Sequence, residues 1–115
     1  MSCLFRSLSN FISSDTDELR QKICDFLEQN PIIFDDIKAD KAIEWEKNIS
    51  LQEYVNEMRK NETWGGAIEI KSFCEIFKIQ VNVHISSIKI IDFMPSTPPV
   101  SIINISWNGN HFTSN

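Results

Sequence analysis

Apolar residues recur at helical spacing through the first part of the chain and at alternate positions through the last. Leu4, Leu8, Phe11 and Ile12 share one face of a short helix over residues 4–12. Ser13-Ser14-Asp15-Thr16 breaks it, and Asp15 with Glu18 has the form of a capping box. The stripe of Leu19, Ile23, Phe26 and Leu27 then predicts a second helix, stopped by Asn30-Pro31. Residues 31–48 carry no decisive period. Ser50-Leu51-Gln52-Glu53 is a second capping box, followed by an apolar stripe of Leu51, Tyr54, Val55 and Met58 that should end near Lys60-Asn61. Trp64-Gly65-Gly66 interrupts the chain before a helix over 67–77, with Ala67, Ile70, Cys74 and Phe77 on one side.

The period then changes. Ile79, Val81, Val83 and Ile85 alternate with Gln80, Asn82, His84 and Ser86, which predicts a strand with one buried face. Residues 88–93 predict a second strand. Residues 100–107 predict a third, apolar enough to be buried on both faces. Asn108-Gly109 signals a tight turn, and His111-Phe112-Thr113 begins a last strand. Helices first and strands after imply an α+β fold, a small sheet with helices packed on it. The one cluster of breakers, Pro95-Ser96-Thr97-Pro98-Pro99, is long enough for a loop but not for a linker, so residues 1–115 are expected to form a single domain.

Charge narrows the partners. Eleven Lys and Arg against 16 Asp and Glu give a net charge of −5. That argues against nucleic acid, which is bound on a basic surface, and fits a basic protein or peptide better. No apolar run approaches the ~20 residues of a membrane span, and residues 1–12 lack the apolar core of a signal peptide. Three widely spaced cysteines form neither a complete disulfide framework nor a Cys-x-x-Cys pair. Free thiols without a leader place the chain in the cytosol or nucleus, and in the host's cytosol for a protein of a virus or intracellular parasite. A monomer without cofactor is expected. The acidic clusters at Asp15-Thr16-Asp17-Glu18, Asp35-Asp36 and Glu44-Trp45-Glu46 read as a helix start and solvated faces. None has metal-ligand spacing with a His or Cys, so no metal is expected.

Three thiols and two imidazoles remain as candidate chemistry. Cysteine hydrolysis needs one of each, with oxyanion donors and a group that orients the imidazole. Cys24 and Cys74 fall within amphipathic helices and read as small core residues. Cys3 stands just before the first helix, where unpaired N–H groups and the positive end of the dipole favour a thiolate. His84 falls on the polar face of a strand and reads as a surface residue. His111 follows a turn at the end of an apolar strand, where reacting groups are commonly displayed. Cys3 and His111 stand at opposite ends of the chain, a separation one domain can close, but the residues alone do not choose this pair.

Cys3-Leu4-Phe5-Arg6-Ser7-Leu8-Ser9 resembles the nucleophile segment of the OTU (ovarian tumour) family of cysteine deubiquitinases, in which the Cys opens a helix. Tyr54-Val55-Asn56-Glu57-Met58, followed by Trp64-Gly65-Gly66-Ala67-Ile68-Glu69-Ile70, is similar to the passage that carries the family's double glycine. Ile105-Ser106-Trp107-Asn108-Gly109-Asn110-His111-Phe112 resembles its closing segment, where the His is the general base. The three stretches come in the family's order and span essentially the whole chain. The resemblance implies a papain-like α+β fold with a small sheet packed between helices. It also implies hydrolysis of the (iso)peptide bond after the C-terminal Gly of ubiquitin or a ubiquitin-like protein. Cys3 would be the nucleophile and His111 the base. Trp64, Gly65, Gly66, Asn110 and Phe112 are the candidate substrate-binding residues, and Trp64 reads better as packing beside the glycine turn than as a catalytic group. Ubiquitin's tail is basic, which suits an acidic chain.

Two departures from the family's pattern bear on activity. The family's Asp-Gly-x-Cys loop has no counterpart, because only Met1-Ser2 precedes Cys3. The family usually places Asp or Asn two residues after the His, and here that position is Thr113, with Asn110 and Asn115 as other candidate orienters. A catalytically weak or inactive OTU-like fold that binds ubiquitin is therefore the alternative. An unrelated α+β interaction domain is the third reading.

Overall fold

The computed structural model describes residues 3–86 and 88–114. Five helices, α1 (Cys3–Ser9), α2 (Thr16–Glu28), α3 (Ala39–Lys47), α4 (Leu51–Met58) and α5 (Ala67–Phe77), precede the main sheet. That sheet holds β3 (Ile79–Ser86), β4 (Lys89–Phe93), β5 (Ser101–Trp107) and β6 (Phe112–Ser114) in the order β4-β3-β5-β6. The segment without a clear period becomes a hairpin, β1 (Ile32–Phe34) and β2 (Ile37–Lys38), running into α3. Its strands are only three and two residues long, too short for alternation to register.

Both predicted N-caps form, but only the second closes as a capping box. Asp15 accepts from the Asp17 and Glu18 N–H groups at 3.1 and 3.2 Å, and Ser50 and Glu53 close a reciprocal box. The first helix is shorter than the apolar pattern suggested. The Ser9 hydroxyl binds the Arg6 carbonyl, and Phe11 and Ile12 donate to carbonyls three residues back, so the chain tightens into a turn. Helix α5 runs over the expected residues, yet Ala67 is exposed, while Ile68, Ile70, Ser72, Phe73 and Cys74 are buried. It is a central helix, with α2 beside it as well as β3, so burial reaches more than one face.

Strands β3 and β5 pair in parallel, and β4 and β6 join antiparallel at the two edges. Ile79, Val81, Val83, Ile103 and Ile105 enter the core on one face. The expectation that β5 is buried on both faces fails. Ile102 is 56% exposed, and its side of the sheet carries the half-buried Asn104, Ser106, Asn82 and His84. The crossover between the parallel strands lies over α5, where Lys71 meets the Met94 carbonyl and Glu75 accepts from the Ser96 N–H and hydroxyl.

Two charged side chains are buried with the core, Arg20 and Glu69. Arg20 is 1% exposed, and its guanidinium donates to the carbonyls of Met58 and Asn61 at 2.7 and 3.0 Å. It also lies 4.2 Å over the Phe5 ring. Carbonyls left open at the end of α4 are thereby satisfied, and α1, α2 and α4 are tied at one residue.

Candidate active site

The two ends of the chain meet where α1 packs against β6. The Phe112 N–H points at Cys3 Sγ at 3.5 Å. Asn10 donates to the Ser114 hydroxyl at 2.8 Å, and that hydroxyl reaches the Ser7 carbonyl at 3.5 Å. Helix α1 is thus laced to the last strand from Cys3 to Asn10. Cys3, Arg6, Ser7, Asn10, His111, Phe112, Thr113 and Ser114 line one open depression of about 320 Å³.

Cysteine selection follows from burial. Cys3 is partly accessible, whereas Cys24 and Cys74 are fully buried, and all three are free thiols. Burial pushes the Cys24 and Cys74 thiols up to about 11, so neither supplies a thiolate near neutral pH.

His111 is placed by the turn before it. Asn108 Oδ1 accepts from the Asn110 and His111 N–H groups at 2.9 and 2.7 Å, and the Asn108 N–H donates to the His111 carbonyl. Gly109 holds the left-handed φ of +101° that this turn requires. Phe112 stacks on Trp107 with centroids 4.6 Å apart, which fixes the strand beyond the turn. The imidazole is exposed and lies 6.4 Å from the Trp64 ring, centroid to centroid. Among the described residues it makes no hydrogen bond, to Cys3 or to Thr113. Thr113 and Asn110 are exposed, and Asn115 lies outside the described residues. His84 sits on the sheet face away from the core, with Nε2 2.9 Å from Asn104 Oδ1.

The Trp64-Gly65-Gly66 turn forms the opposite wall. Cys3, Leu4, Trp64, Gly65, Trp107 and Phe112 enclose a small apolar recess beside the thiol. A Cβ on Gly65 would come 2.9 Å from Leu4 Cδ2 and 3.0 Å from Phe5 Cε2, whereas one on Gly66 would meet nothing within 4 Å. Leu4 and Phe5 are buried on the helix that Cys3 opens, so a side chain at Gly65 pushes on that helix. Gly65→Ala is expected to cost about 1–3 kcal/mol through overpacking and to slow reaction at Cys3, while Gly66→Ala changes either quantity little. Melting temperature and the alkylation rate of Cys3 by iodoacetamide check this, and equal effects at both glycines would refute it.

Reasoning on the sequence missed two polar contacts. Arg20 carries no reading there, and Tyr54 and Glu69 read as a stripe member and part of a motif. In the fold the Tyr54 hydroxyl donates to Glu69 Oε2 at 2.6 Å, and Glu69 Oε1 accepts from the Gly66 N–H at 2.7 Å. The available signal was Glu69 three residues after Gly66, the spacing at which an acidic side chain reaches back to a helix start. Among the described residues no group of three or more His, Cys, Asp or Glu side chains could hold a metal ion, and no helix is long and apolar enough to cross a membrane.

Residues 2–110 match the profile of a family described as "OTU-like cysteine protease". The chain is 31% identical over 121 aligned positions to "Putative ubiquitin thioesterase 232R" of Invertebrate iridescent virus 3, covering 97% of this chain and 14% of that one. It is 28% identical to "Ubiquitin thioesterase otu2" of Schizosaccharomyces pombe, covering 83% of this chain and 33% of that one. The chain therefore spans a third or less of the length of these relatives. Among solved structures, an ovarian tumour (OTU) domain in complex with ubiquitin superposes with a TM-score of 0.77 at 26% identity, covering 97% of this chain and 62% of that one.

Proposed function

The chain belongs to the OTU-like cysteine protease family, and on that footing we propose that it is a thiol-dependent hydrolase of bonds made by the C-terminal Gly of ubiquitin or a ubiquitin-like protein. The observation that carries this reading is the convergence of Cys3 and His111 on one open depression, while the other two thiols are buried. Cys3 is the nucleophile. Its thiolate adds to the Gly carbonyl carbon, and the oxygen takes the negative charge. As the tetrahedral species collapses, the C–N bond breaks and the leaving lysine amine takes a proton from the His111 imidazolium. Water then attacks the thioester, the imidazole accepts the water's proton, and the Cys3 thiolate leaves. The Phe112 N–H, 3.5 Å from the sulfur, is a donor close to the reacting atoms. Trp64, Gly65 and Phe112 line the recess beside the thiol, and together with Gly66 and Asn110 they are proposed as the surfaces a Gly-Gly tail would lie against. Residues 1–115 are proposed to form one domain, and the three free thiols fit a reducing compartment such as the cytosol.

A ubiquitin carrying a C-terminal propargyl or vinyl sulfone group tests the reading. Covalent capture on Cys3 is expected. Saturable binding without capture would instead establish a binding module, and the absence of both capture and binding would remove ubiquitin as the partner.

Thr113 is proposed as the group that orients His111, in place of a carboxylate or amide. Its hydroxyl accepts a hydrogen bond but adds no negative charge beside an imidazolium. Thr113→Asn and Thr113→Asp are expected to raise kcat/KM by about two- to tenfold, since better orientation of the base acts on the transition state. Initial rates on a fluorogenic ubiquitin substrate give the answer, and an unchanged or lower rate would remove Thr113 from this role.

A further inference from the structure

Beneath the Trp64-Gly65-Gly66 turn lies a buried carboxylate that the cysteine chemistry leaves unused. Glu69 is 1% exposed and stands in the first turn of α5. Its two oxygens are each engaged, Oε1 by the Gly66 N–H and Oε2 by the Tyr54 hydroxyl of α4. The other titratable or charged groups that act on it are Glu46 of α3 and Arg20 and Cys24 of α2. Among the described residues no cation is paired with it. Burial is the largest influence and raises its carboxyl from the ordinary 4.5 to about 7, against the two donors, which lower it. Burial, and then the neighbouring carboxylate, keep Tyr54 protonated.

A carboxylate accepts from both donors at once. The protonated acid keeps both partners only if its own O–H donates to the Tyr54 oxygen, and it then holds the Gly66 N–H through a neutral carbonyl oxygen rather than a charged one, a weaker bond. The turn held by this carboxylate is a wall of the Cys3 cleft. Gly65 bears on Leu4 and Phe5 of α1, and the Trp64 ring faces His111.

We propose that the Glu69 carboxylate is a positioning residue of the Cys3 cleft: by holding the Gly66 N–H it keeps the Trp64-Gly65-Gly66 wall seated against α1 and beside His111, and the wall loosens when Glu69 is protonated. The inference rests on the reading of Cys3 and His111 as the reacting pair.

The sign of the linkage separates this role from ordinary packing. An acid whose value is raised on folding holds its proton longer in the folded state. Stability is therefore greatest below the unfolded value and falls as pH rises from about 4.5 to about 7. The ionised form is kept at a cost in stability, a pattern that clusters at functional sites. Glu69→Gln is isosteric and permanently neutral, so it imitates the protonated acid. It should melt at the same or a higher temperature than the native protein near pH 8.

The experiment compares native protein and Glu69→Gln between about pH 5.5 and pH 8.5, with kcat and KM on a fluorogenic ubiquitin substrate and amide hydrogen exchange of residues 63–66 corrected for intrinsic rate. The variant is expected to lose about tenfold in kcat near pH 8 with little change in KM, and the gap should close to about twofold near pH 5.5. Exchange at 63–66 should be faster in the variant at high pH. In the native protein it should accelerate as pH falls through Glu69's titration, which tests the hold even if the variant does not fold. Unchanged exchange, or a kcat gap that is constant across pH, would overturn the proposal. If the native protein cleaves no ubiquitin substrate, the reading of function falls separately. The same pH comparison is then made on alkylation of Cys3 by iodoacetamide, where a slower variant at high pH supports the hold and equal rates refute it.

Discussion

Replacing Cys3 by alanine is expected to lower kcat/KM on ubiquitin substrates by at least ~10⁴-fold and to abolish capture by ubiquitin probes, because no other group can form the thioester. The two remaining thiols are sealed in the core at 0% exposure, and burial holds both near 11. Cys24 lies on α2 and Cys74 on α5, and neither lines the depression that contains His111. Cys74 Sγ is moreover turned to the Phe93 carbonyl at 3.4 Å. Cys24→Ser and Cys74→Ser should therefore keep probe capture and lower stability instead, because each places a hydroxyl in an apolar site. Cys3 is half-buried at the start of α1, so its loss should leave the melting temperature nearly unchanged. Intact-mass detection of the probe adduct and thermal melts on the three variants decide the matter. An adduct that persists in Cys3→Ala would assign the nucleophile elsewhere.

The helices were legible wherever a cap and an apolar stripe coincided. Asp15, Ser50 and the stripes behind them place α2 and α4 within a few residues, and alternation places β3. The hairpin of β1 and β2 was not legible, because pairs and triplets of residues carry no period. The two-sided burial read into β5 failed for a different reason. Ile102 is as apolar as Ile103, but helix α5 packs on the face of β3 that continues through Ile103, and composition cannot say which face a helix will cover. Of the site, Cys3, His111 and the glycine turn could be named from local strings. The contacts that hold them in place could not. Arg20 with Met58 and Asn61, and Tyr54 with Glu69, join residues 38, 41 and 15 positions apart. Charged side chains are buried only when such partners exist, and the partners come from the tertiary fold.

His111→Ala is expected to cut kcat/KM by ~10²- to 10⁴-fold, the range for loss of a general acid–base that also pairs with the nucleophile. The imidazole lines the same depression as the thiol and is placed there by its backbone rather than by its own contacts. Asn108 Oδ1 holds the His111 N–H at 2.7 Å, and the next residue's N–H meets Cys3 Sγ. The ring itself is exposed and hydrogen-bonded to no described residue, so it is free to turn toward the sulfur once a substrate excludes water. His84 has no such position. It lies within β3 with its neighbours Ile90 and Ser106 on the adjacent strands, and its ring is engaged by Asn104. His84→Ala should therefore change kcat/KM by less than about twofold, apart from any loss of folded protein. The loss at His111 should fall mainly on kcat, because ubiquitin's contact surface extends well beyond one imidazole, so KM is expected to move little. Steady-state kinetics on both variants, normalised to folded protein, test the assignment. Comparable losses at the two positions would deprive His111 of any special role, and a loss at His111 carried wholly by KM would make it a binding residue rather than the base.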